Sequence, residues 1–267
     1  MISEPLFFRE SEAPLFGCYH APPGLPVRST AVLLCAPHGH EYTRAHRAFR
    51  FLAERLASAG FPTLRFDYRG CGDSALEDGT GNLDHWAEDI AAAAATCRER
   101  SGNTRVCAVG LRLGASLALR AQAAHASTPL FESMVLWDPI ISGEDHLADL
   151  ARLHRDMMRS IPGVGSWSES EVDMSELLGF TYSRALLRQL EALDLSRDRT
   201  NGTQNLLLLQ TDQAGEPGLE QLLQLEAPRL DNTRVQDPRI WMEDADKAMI
   251  PQQGMQAVVQ WLSEVYP

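Results

Sequence analysis

The stretch from Val106 to Leu119 constrains the fold of this 267-residue chain more than any other part of it. A short apolar run of β-type residues ends at Gly110, and an Ala/Leu pattern with helical spacing follows Gly114. The pattern predicts a strand, a sharp turn and a helix. A glycine on each side of the turn allows the strand and helix backbones to approach closely. Arg112 occupies the centre of this turn.

The flanking sequence alternates between strand and helix character. Residues 30–36 form an unbroken apolar run, which is typical of a strand covered on both faces. Residues 6–20 suit an antiparallel pair at a sheet edge. Further strands are predicted at 62–66, 133–137, 205–210 and 239–242, with the central strand and helix within 104–124. Other helices are predicted at 46–59, 84–100, 217–226 and 252–265. This alternation predicts an α/β fold, a mostly parallel central sheet covered by helices on both faces, with ligand loops at the carboxyl ends of the strands.

The alternation stops after Gly143. Between there and residue 200 the sequence shows no strong strand, but amphipathic helical patterns run from Leu147 to Met158 and from Tyr182 to Leu193. We therefore predict a core domain made of residues 1–142 and 201–267, with residues 143–200 inserted in it as a helical lid.

Composition limits the classes of partner and compartment. A net charge of −12 argues against binding to nucleic acid or to an anionic membrane surface. No stretch of eighteen apolar residues occurs, and the apolar N-terminal run is too short for a signal peptide. The five cysteines are scattered and include no C-x-x-C pair, which indicates reduced thiols. We expect a cytoplasmic protein without a metal or cofactor, and the sequence leaves a homodimer open.

Four features together resemble the α/β-hydrolase superfamily over nearly the whole chain. They are His38-Gly39 after an apolar strand, the loop Asp67 to Ser74, the turn Gly110-Leu-Arg-Leu-Gly114, and the last strand, loop and helix with Trp261-Leu262. In that superfamily the turn is the nucleophile elbow, G-x-S-x-G, whose serine is exposed on a strained strand-to-helix turn. A narrower resemblance is to the hydrolase-like proteins of exosortase and exopolysaccharide gene clusters, and it rests on Gly110 to Ala115, Trp137 to Gly143, and Arg47 with Gly70 to Ser74.

The resemblance implies a catalytic triad in the order serine, acid, histidine. Arg112 stands where the serine is expected, and Asp212 follows a late strand where the acid is expected. Lys247, the single lysine of the chain, stands where the histidine is expected. Two triad positions are therefore cationic, and the triad is predicted to be degenerate.

Arginine stays protonated and has no lone pair to attack a carbonyl, so an acyl-enzyme through position 112 is excluded. Two interpretations of Arg112 remain. It captures a carboxylate or phosphate at the helix N-terminus, or it forms a salt bridge to Asp212 or Asp138 that fills a disused pocket. Lys247 could act as a base only if its pKa were lowered; otherwise it is a solvated side chain.

The segment from His38 to Glu41 is expected to form the loop that supplies backbone donors to an oxyanion. His40 and Glu41 are predicted to line the mouth of the cleft, and His38 or His40 is the candidate base. Further candidates for ligand contact are Gly39, Leu113 and Asp138. The spacing of His38 and His40 could suggest a metal, but no convincing further ligand completes a site.

The loop Asp67 to Ser74 is interpreted as a structural turn in which Gly70 and Gly72 permit a tight backbone. Cys71 could replace the missing nucleophile, although this loop normally supports the site without attacking. Ser116 is expected to face the helix packing surface rather than the cleft.

Three hypotheses follow. The first is a non-hydrolytic protein that binds a small acyl or anionic ligand, or a protein partner, in a bacterial biosynthetic pathway. The second is an acyltransferase, thioesterase, lyase or cyclase that uses Arg112 as a clamp and His38, His40 or Lys247 as base. The third is a hydrolase whose triad lies elsewhere, with a serine or cysteine beside a histidine in the cleft.

Overall fold

The computed structural model describes residues 3–9, 13–24, 26–77, 79–125, 127–161, 172–200, 202–211, 219, 223, 225–242 and 249–267. Asp212, Lys247 and most of the predicted helix 217–226 lie outside these residues. The strands are β1 Ser3–Phe8, β2 Leu15–His20, β3 Thr30–Cys35, β4 Thr63–Phe66, β5 Arg105–Leu111, β6 Ser133–Trp137, β7 Glu176–Leu177, β8 Phe180–Thr181, β9 Asn205–Thr211 and β10 Arg229–Val235. The helices are α1 His40–Ser58, α2 Leu83–Ser101, α3 Leu113–Ala124, α4 Gly143–Ser160, α5 Arg184–Glu191 and α6 Gln252–Val265.

Eight strands form one sheet in the order β1-β2-β4-β3-β5-β6-β9-β10. The β1–β2 and β2–β4 pairs are antiparallel, and the pairs from β4 to β10 are parallel. The antiparallel edge pair and the mostly parallel sheet were both expected, and both are confirmed. Because β3 and β5 are neighbours in parallel register, with Cys35 opposite Gly110, the turns that follow them lie at the same edge of the sheet.

Helices cover both faces of the sheet, as the apolar run of β3 predicted. Alternate residues of β3 point to opposite faces, as in any strand. Leu33 belongs to the hydrophobic cluster that contains Ile90 of α2 and Leu117 of α3. Leu34 belongs to a second cluster on the other face, with Leu52 of α1. The four helices that the sequence predicts within the described residues of the core are present as α1, α2, α3 and α6. The fold class is therefore confirmed.

One predicted strand and the predicted start of one helix are corrected. The strand expected at 239–242 is wrong, because Ile240 to Met242 form a turn and the last strand of the sheet is β10. β10 is an edge strand with many polar, half-exposed residues, so it lacks the continuous apolar run of a central strand. Helix α1 begins at His40 rather than 46, because its first turns carry polar residues that do not show the apolar spacing of the later turns.

The segment between β6 and β9 contains α4, a short β7–β8 hairpin and α5. Leu147 and Leu186 of this segment are buried in the same cluster as α2 and α3. Gly143 lies so close to α5 that an added Cβ would come within 1.7 Å of the Leu190 carbonyl oxygen. The division into core and lid stays a prediction. In the described part of the chain, no helix combines the length and apolar character that crossing a membrane requires.

The close approach at the Arg112 turn gives a test of the fold. A Cβ added to Gly114 would lie 2.2 Å from the backbone carbonyl oxygen of Cys35, at the end of the neighbouring strand. Since backbone cannot move aside as a flexible side chain does, Gly114→Ala should lower the free energy of unfolding by about 3 kcal/mol, measured by urea denaturation. The control is Gly24→Ala, where the added carbon meets nothing within 4 Å. Equal stability of the two variants would contradict this packing.

Candidate functional site

Arg112 lies on a strained turn between β5 and α3. Its φ of 53° and ψ of −125° fall in a region that non-glycine residues rarely adopt. Its backbone N–H donates to the carbonyl of Trp137 at 3.0 Å, which ties the turn to the end of β6. This is the backbone shape of a nucleophile elbow, in which the central side chain is exposed above the sheet edge.

The side chain of Arg112 is held on three sides. Its Nε donates to Glu41 Oε1 at 3.0 Å, and its Nη1 donates to the backbone carbonyl of Asp138 at 3.3 Å. The guanidinium carbon lies 5.2 Å from the centroid of the Trp241 ring. Glu41 is nearly fully buried, with 4% of its side chain exposed, and Arg112 is exposed by 19%. The central position of this turn therefore holds a largely buried ion pair.

The contacts of Arg112 and the burial of α1 differ from two predictions. The acid beside Arg112 is Glu41, whereas Asp138 contacts Arg112 through its carbonyl and not its carboxylate. Glu41 and His40 were expected at the mouth of the cleft, but both are buried in the first turn of α1. The pairing of Arg112 with Asp212, and the role of Lys247, concern residues outside the described structure.

Asp138 joins the ends of two strands. Its φ is 42°, and its carboxylate oxygens accept from the Thr211 N–H at 3.0 and 3.2 Å. Burial raises the pKa of Asp138 to about 6, although the hydrogen bonds from Thr211 and the charge of Arg112 oppose the shift. This carboxyl group is engaged in the structure of the sheet edge, so a free ligand-binding carboxylate at Asp138 is not what the geometry presents.

The loop after β3 places Gly39 and His38 against side chains from three other parts of the chain. Gly39 has a φ of 62°, and an added Cβ would lie 2.8 Å from the hydroxyl of Tyr182. The His38 ring lies 4.5 Å from the Trp86 ring and 5.6 Å from the Tyr182 ring, centroid to centroid. His38 Nδ1 lies 3.6 Å from Cys71 Sγ. The two loops that follow β3 and β4 thus meet at His38.

Three buried histidines surround this region. Burial lowers the pKa of His38 to about 4, and His146 of α4 adds to the shift. Burial also lowers the pKa of His40 to about 4, although Glu41 opposes the change. His146 has its pKa lowered to about 3 by burial, with a further contribution from Arg112. All three rings are therefore neutral at neutral pH.

Four buried polar atoms in this segment have no hydrogen-bond partner among the described residues. They are His38 Nε2, both ring nitrogens of His40, and Glu41 Oε2. Buried polar groups in folded proteins are nearly always satisfied by protein or by water. Water or a ligand is therefore the expected partner of these atoms.

A cleft of about 330 Å³ opens beside this loop. Its described lining is uncharged at neutral pH and consists of Pro37, His38, Gly39, Tyr42, Thr43, Tyr68, Gly70, Cys71, Gly72, Leu76 and Phe180. The volume lies at the lower end of the range typical of small-molecule sites. Within the described residues, no group of three or more His, Cys, Asp or Glu side chains could hold a metal ion.

The loop from Asp67 to Ser74 has the internal bonds of a structural turn. The carboxylate of Asp67 accepts from the Tyr42 hydroxyl at 2.7 Å and from the Asp73 N–H at 3.1 Å. The Ser74 hydroxyl donates to the Asp67 carbonyl at 2.5 Å. Ser116 is buried and donates to the Ile140 carbonyl at 2.8 Å, so it faces the packing surface as expected.

Sequence reasoning did not identify four side chains at this site: Trp86, His146, Tyr182 and Trp241. Each lies on an element remote in sequence from Arg112 and His38. His146 lies directly before one amphipathic pattern and Tyr182 begins the other, and a single polar or aromatic residue there gives no signal of its own. The contacts of His146 and Tyr182 depend on how the segment between β6 and β9 packs on the sheet edge.

The ion pair at the elbow gives the first test of the site. Removing one partner of a buried pair leaves an uncompensated charge, so Arg112→Met and Glu41→Gln should each lower the free energy of unfolding by about 3 kcal/mol. The double variant should lose less than the sum of the two, by about 2 kcal/mol. Urea denaturation of the four proteins measures this coupling.

The matched control for that cycle is the exposed pair Arg50–Glu54 on the outer face of α1. Its coupling should be about 0.3 kcal/mol, as for other exposed helix pairs. A coupling at Arg112 and Glu41 as small as that of the control pair would contradict a closed elbow, by which we mean an elbow whose central side chain, Arg112, is held by Glu41.

The buried histidines give a test by pH. The folded-state pKa of His146, about 3, lies below its ordinary value of 6.5, so the unfolded chain binds more protons as the pH falls below 6.5. The stabilising effect of neutral His146 is thus complete above pH 6.5 and is lost as the solution is acidified. Between about pH 7 and pH 4.5, wild type should lose about 2 kcal/mol more than His146→Gln.

Unfolding in urea at the two pH values measures this difference. His85→Gln, at an exposed histidine near the start of α2, serves as the control and should follow the wild type. An equal acid loss in His146→Gln and wild type would show that His146 is not buried in its neutral form.

The fold has many structural relatives at low sequence identity. Est1E from Butyrivibrio proteoclasticus, solved with ferulic acid bound, has a TM-score of 0.66 and 16% identity, covering 97% of this chain and 98% of that chain. Pyrococcus furiosus esterase Pf2001 has a TM-score of 0.65 and 16% identity, covering 98% and 90%. XC6422 from Xanthomonas campestris, described as a serine hydrolase without a lid, has a TM-score of 0.61 and 17% identity, covering 99% and 95%.

These likenesses show the fold alone, and the fold is that of the α/β hydrolases. Among curated protein sequences, none matches this chain. The family model of serine aminopeptidase S33 matches residues 29–198, which include the loop at His38, the elbow and most of the segment between β6 and β9. With well over half of its length matched, the chain belongs to the serine aminopeptidase S33 family of α/β hydrolases.

Proposed function

We propose that this protein has a degenerate triad, does not act as a serine hydrolase through its elbow, and binds a small acyl-type ligand in the cleft beside Gly39. The observation that carries the proposal is the side chain of Arg112 at the elbow. It is paired with Glu41 and bonded to the Asp138 carbonyl, where the family's fold otherwise presents a serine.

Arg112 is suited to neither attack nor free capture of a ligand. Its guanidinium stays protonated and offers no lone pair. Its charge is compensated by a buried carboxylate at 3.0 Å, so an incoming anion would have to displace Glu41 or leave it unpaired. The same pairing argues against Arg112 as the clamp of an altered enzyme.

The properties of the cleft favour an acyl ligand over an anionic one. Its described lining offers no cationic side chain, while Leu76, Phe180 and the two tyrosines give it apolar surface. Gly39 and Gly72 expose backbone to the same space. Est1E, a structural neighbour, was solved with ferulic acid bound, which supports a small compound with an acyl or carboxyl group and does not distinguish the two.

The wider setting of this function rests on the sequence. The resemblance of Gly110 to Ala115 and of Gly70 to Ser74 to hydrolase-like proteins of exosortase and exopolysaccharide gene clusters supports a role in a bacterial biosynthetic pathway. In that setting the protein would be cytoplasmic. The same hypothesis includes binding to a protein partner, or to a second copy of the chain as a homodimer.

Binding of two matched probes tests the ligand class. Hexanamide and hexanoate share a short acyl chain and differ in charge, so the uncharged cleft should bind hexanamide and should bind hexanoate more weakly. Saturation-transfer NMR measures both. Thr43→Trp, at an exposed residue of the lining, should abolish the hexanamide signal, because the large ring narrows the cleft.

Arg50→Trp is the control, since it places the same ring on an exposed part of α1 outside the cleft lining. A fluorophosphonate, which captures activated serines, should leave no serine adduct on the same samples. The proposal fails if Thr43→Trp leaves hexanamide binding intact, if hexanoate binds more tightly and is lost in Arg112→Met, or if a serine is labelled stoichiometrically.

A further inference from the structure

Cys71 differs from the other cysteines of the chain. Cys18, Cys35, Cys97 and Cys107 are buried, whereas Cys71 is partly exposed. It lines the cleft together with His38, and its Sγ lies 3.6 Å from His38 Nδ1. A thiol and an imidazole at hydrogen-bond distance form the usual arrangement of a nucleophile and its base.

We infer that Cys71 is a nucleophile and His38 its general base, and that the pair takes an acyl group from an activated ester or thioester bound in this cleft. The inference rests on the proposed function, since it needs an acyl ligand at the same place. It moves the chemistry from the elbow, closed by Arg112, to the loop that follows β4.

The turn around Cys71 fixes the position of the thiol. The Cys71 N–H donates to the Tyr68 carbonyl at 3.0 Å, and the Cys71 carbonyl accepts from the Ser74 N–H at 3.1 Å. Gly70 and Gly72, on either side, have φ values of 68° and 55°. A Cβ at Gly72 would lie 2.3 Å from Asp67 Oδ2, so only glycine fits beside Cys71. These constraints hold the backbone of Cys71 in place, in a position from which its Sγ lies 3.6 Å from His38 Nδ1.

The His38 ring is also fixed. It packs between Trp86 and Tyr182 and is 8% exposed. Its Nε2 is buried and has no partner among the described residues. In the tautomer that carries its proton on Nε2, the lone pair of Nδ1 is directed toward neighbouring donors such as the Cys71 thiol.

The step balances without an external oxidant or cofactor. Cys71 Sγ attacks the acyl carbon, the thiol proton passes to His38 Nδ1, and the carbonyl oxygen becomes an oxyanion. Collapse breaks the bond to the leaving thiol or alcohol, which takes the proton from His38 and departs. The product is an acyl-Cys71 thioester, and a water molecule or another acceptor can then release the acyl group and restore the thiol.

The environment of His38 predicts a distinctive pH profile. The titratable groups that face it in the described structure are Cys71, Tyr182 and His146, the last from α4. Burial lowers the pKa of His38 to about 4, so the ring is a neutral acceptor from about pH 5 upward. Below the pKa of the thiol, the rate of an attack assisted by neutral His38 is then nearly independent of pH. The rate of an unassisted thiol instead rises about tenfold for each unit of increasing pH, because only its thiolate form attacks.

The test uses p-nitrophenyl butyrate and the full-length protein at pH 5.5 to 7.5. Release of p-nitrophenol gives the rate, and intact-mass and peptide analysis after acid quench locate the butyryl group. We expect the adduct on Cys71, no adduct in Cys71→Ala, and a nearly level rate across this range. His38→Asn should lower the rate about 100-fold and restore the tenfold rise per pH unit.

Free N-acetylcysteine supplies the unassisted reference, and His125→Asn, at the far end of α3 from the elbow, is the matched control that should react like wild type. Should His38→Asn fail to fold, the pH profile of wild type against N-acetylcysteine decides the question alone. Acylation of Cys71 at the free-thiol rate with the same slope overturns the inference. If hexanamide binding persists in that case, the proposed function stands; if it is absent as well, both fail.

Discussion

The ion pair between Arg112 and Glu41 joins the two turns on which the site depends. These turns follow β5 and β3, the neighbouring parallel strands at the centre of the sheet. A positive φ at Arg112 and another at Gly39 aim the two segments at each other. Because Glu41 is almost fully buried and Arg112 is mostly buried, separating the two charges costs free energy, and the pair holds the strained turn in place.

A closed elbow changes what the fold can do. In a serine hydrolase the strained turn presents a nucleophile, and the loop after β3 presents donors to the oxyanion. In this chain the strained turn carries Arg112, whose charge is paired with Glu41, while the loop after β3 borders a cleft. Uncharged residues line that cleft, and Cys71 is in contact with His38 there. The family's scaffold is retained, and we propose that its reactive position lies in the loop after β4 instead of at the elbow.

The sequence predicted most of the fold because its signals are local. The glycines at 110 and 114 and the apolar run of β3 determine a strand, a tight turn and a buried neighbouring strand without reference to distant residues. β10 escaped prediction because an edge strand exposes one side and needs no apolar run. The same limit applies to the site: Glu41 and Arg112 are far apart in sequence, and no pattern in either segment indicates their pairing.

The hydrogen bond from Arg112 Nε to Glu41 tests the central claim most directly. In a proton–nitrogen NMR spectrum, assigned by the signal lost in Arg112→Met, the Arg112 Nε–H should exchange slowly with water and differ in shift from exposed arginines. In Glu41→Gln it should exchange faster and shift toward their position. An Arg112 Nε–H that exchanges like a surface arginine in wild type, or that is unaffected by Glu41→Gln, would contradict a closed elbow.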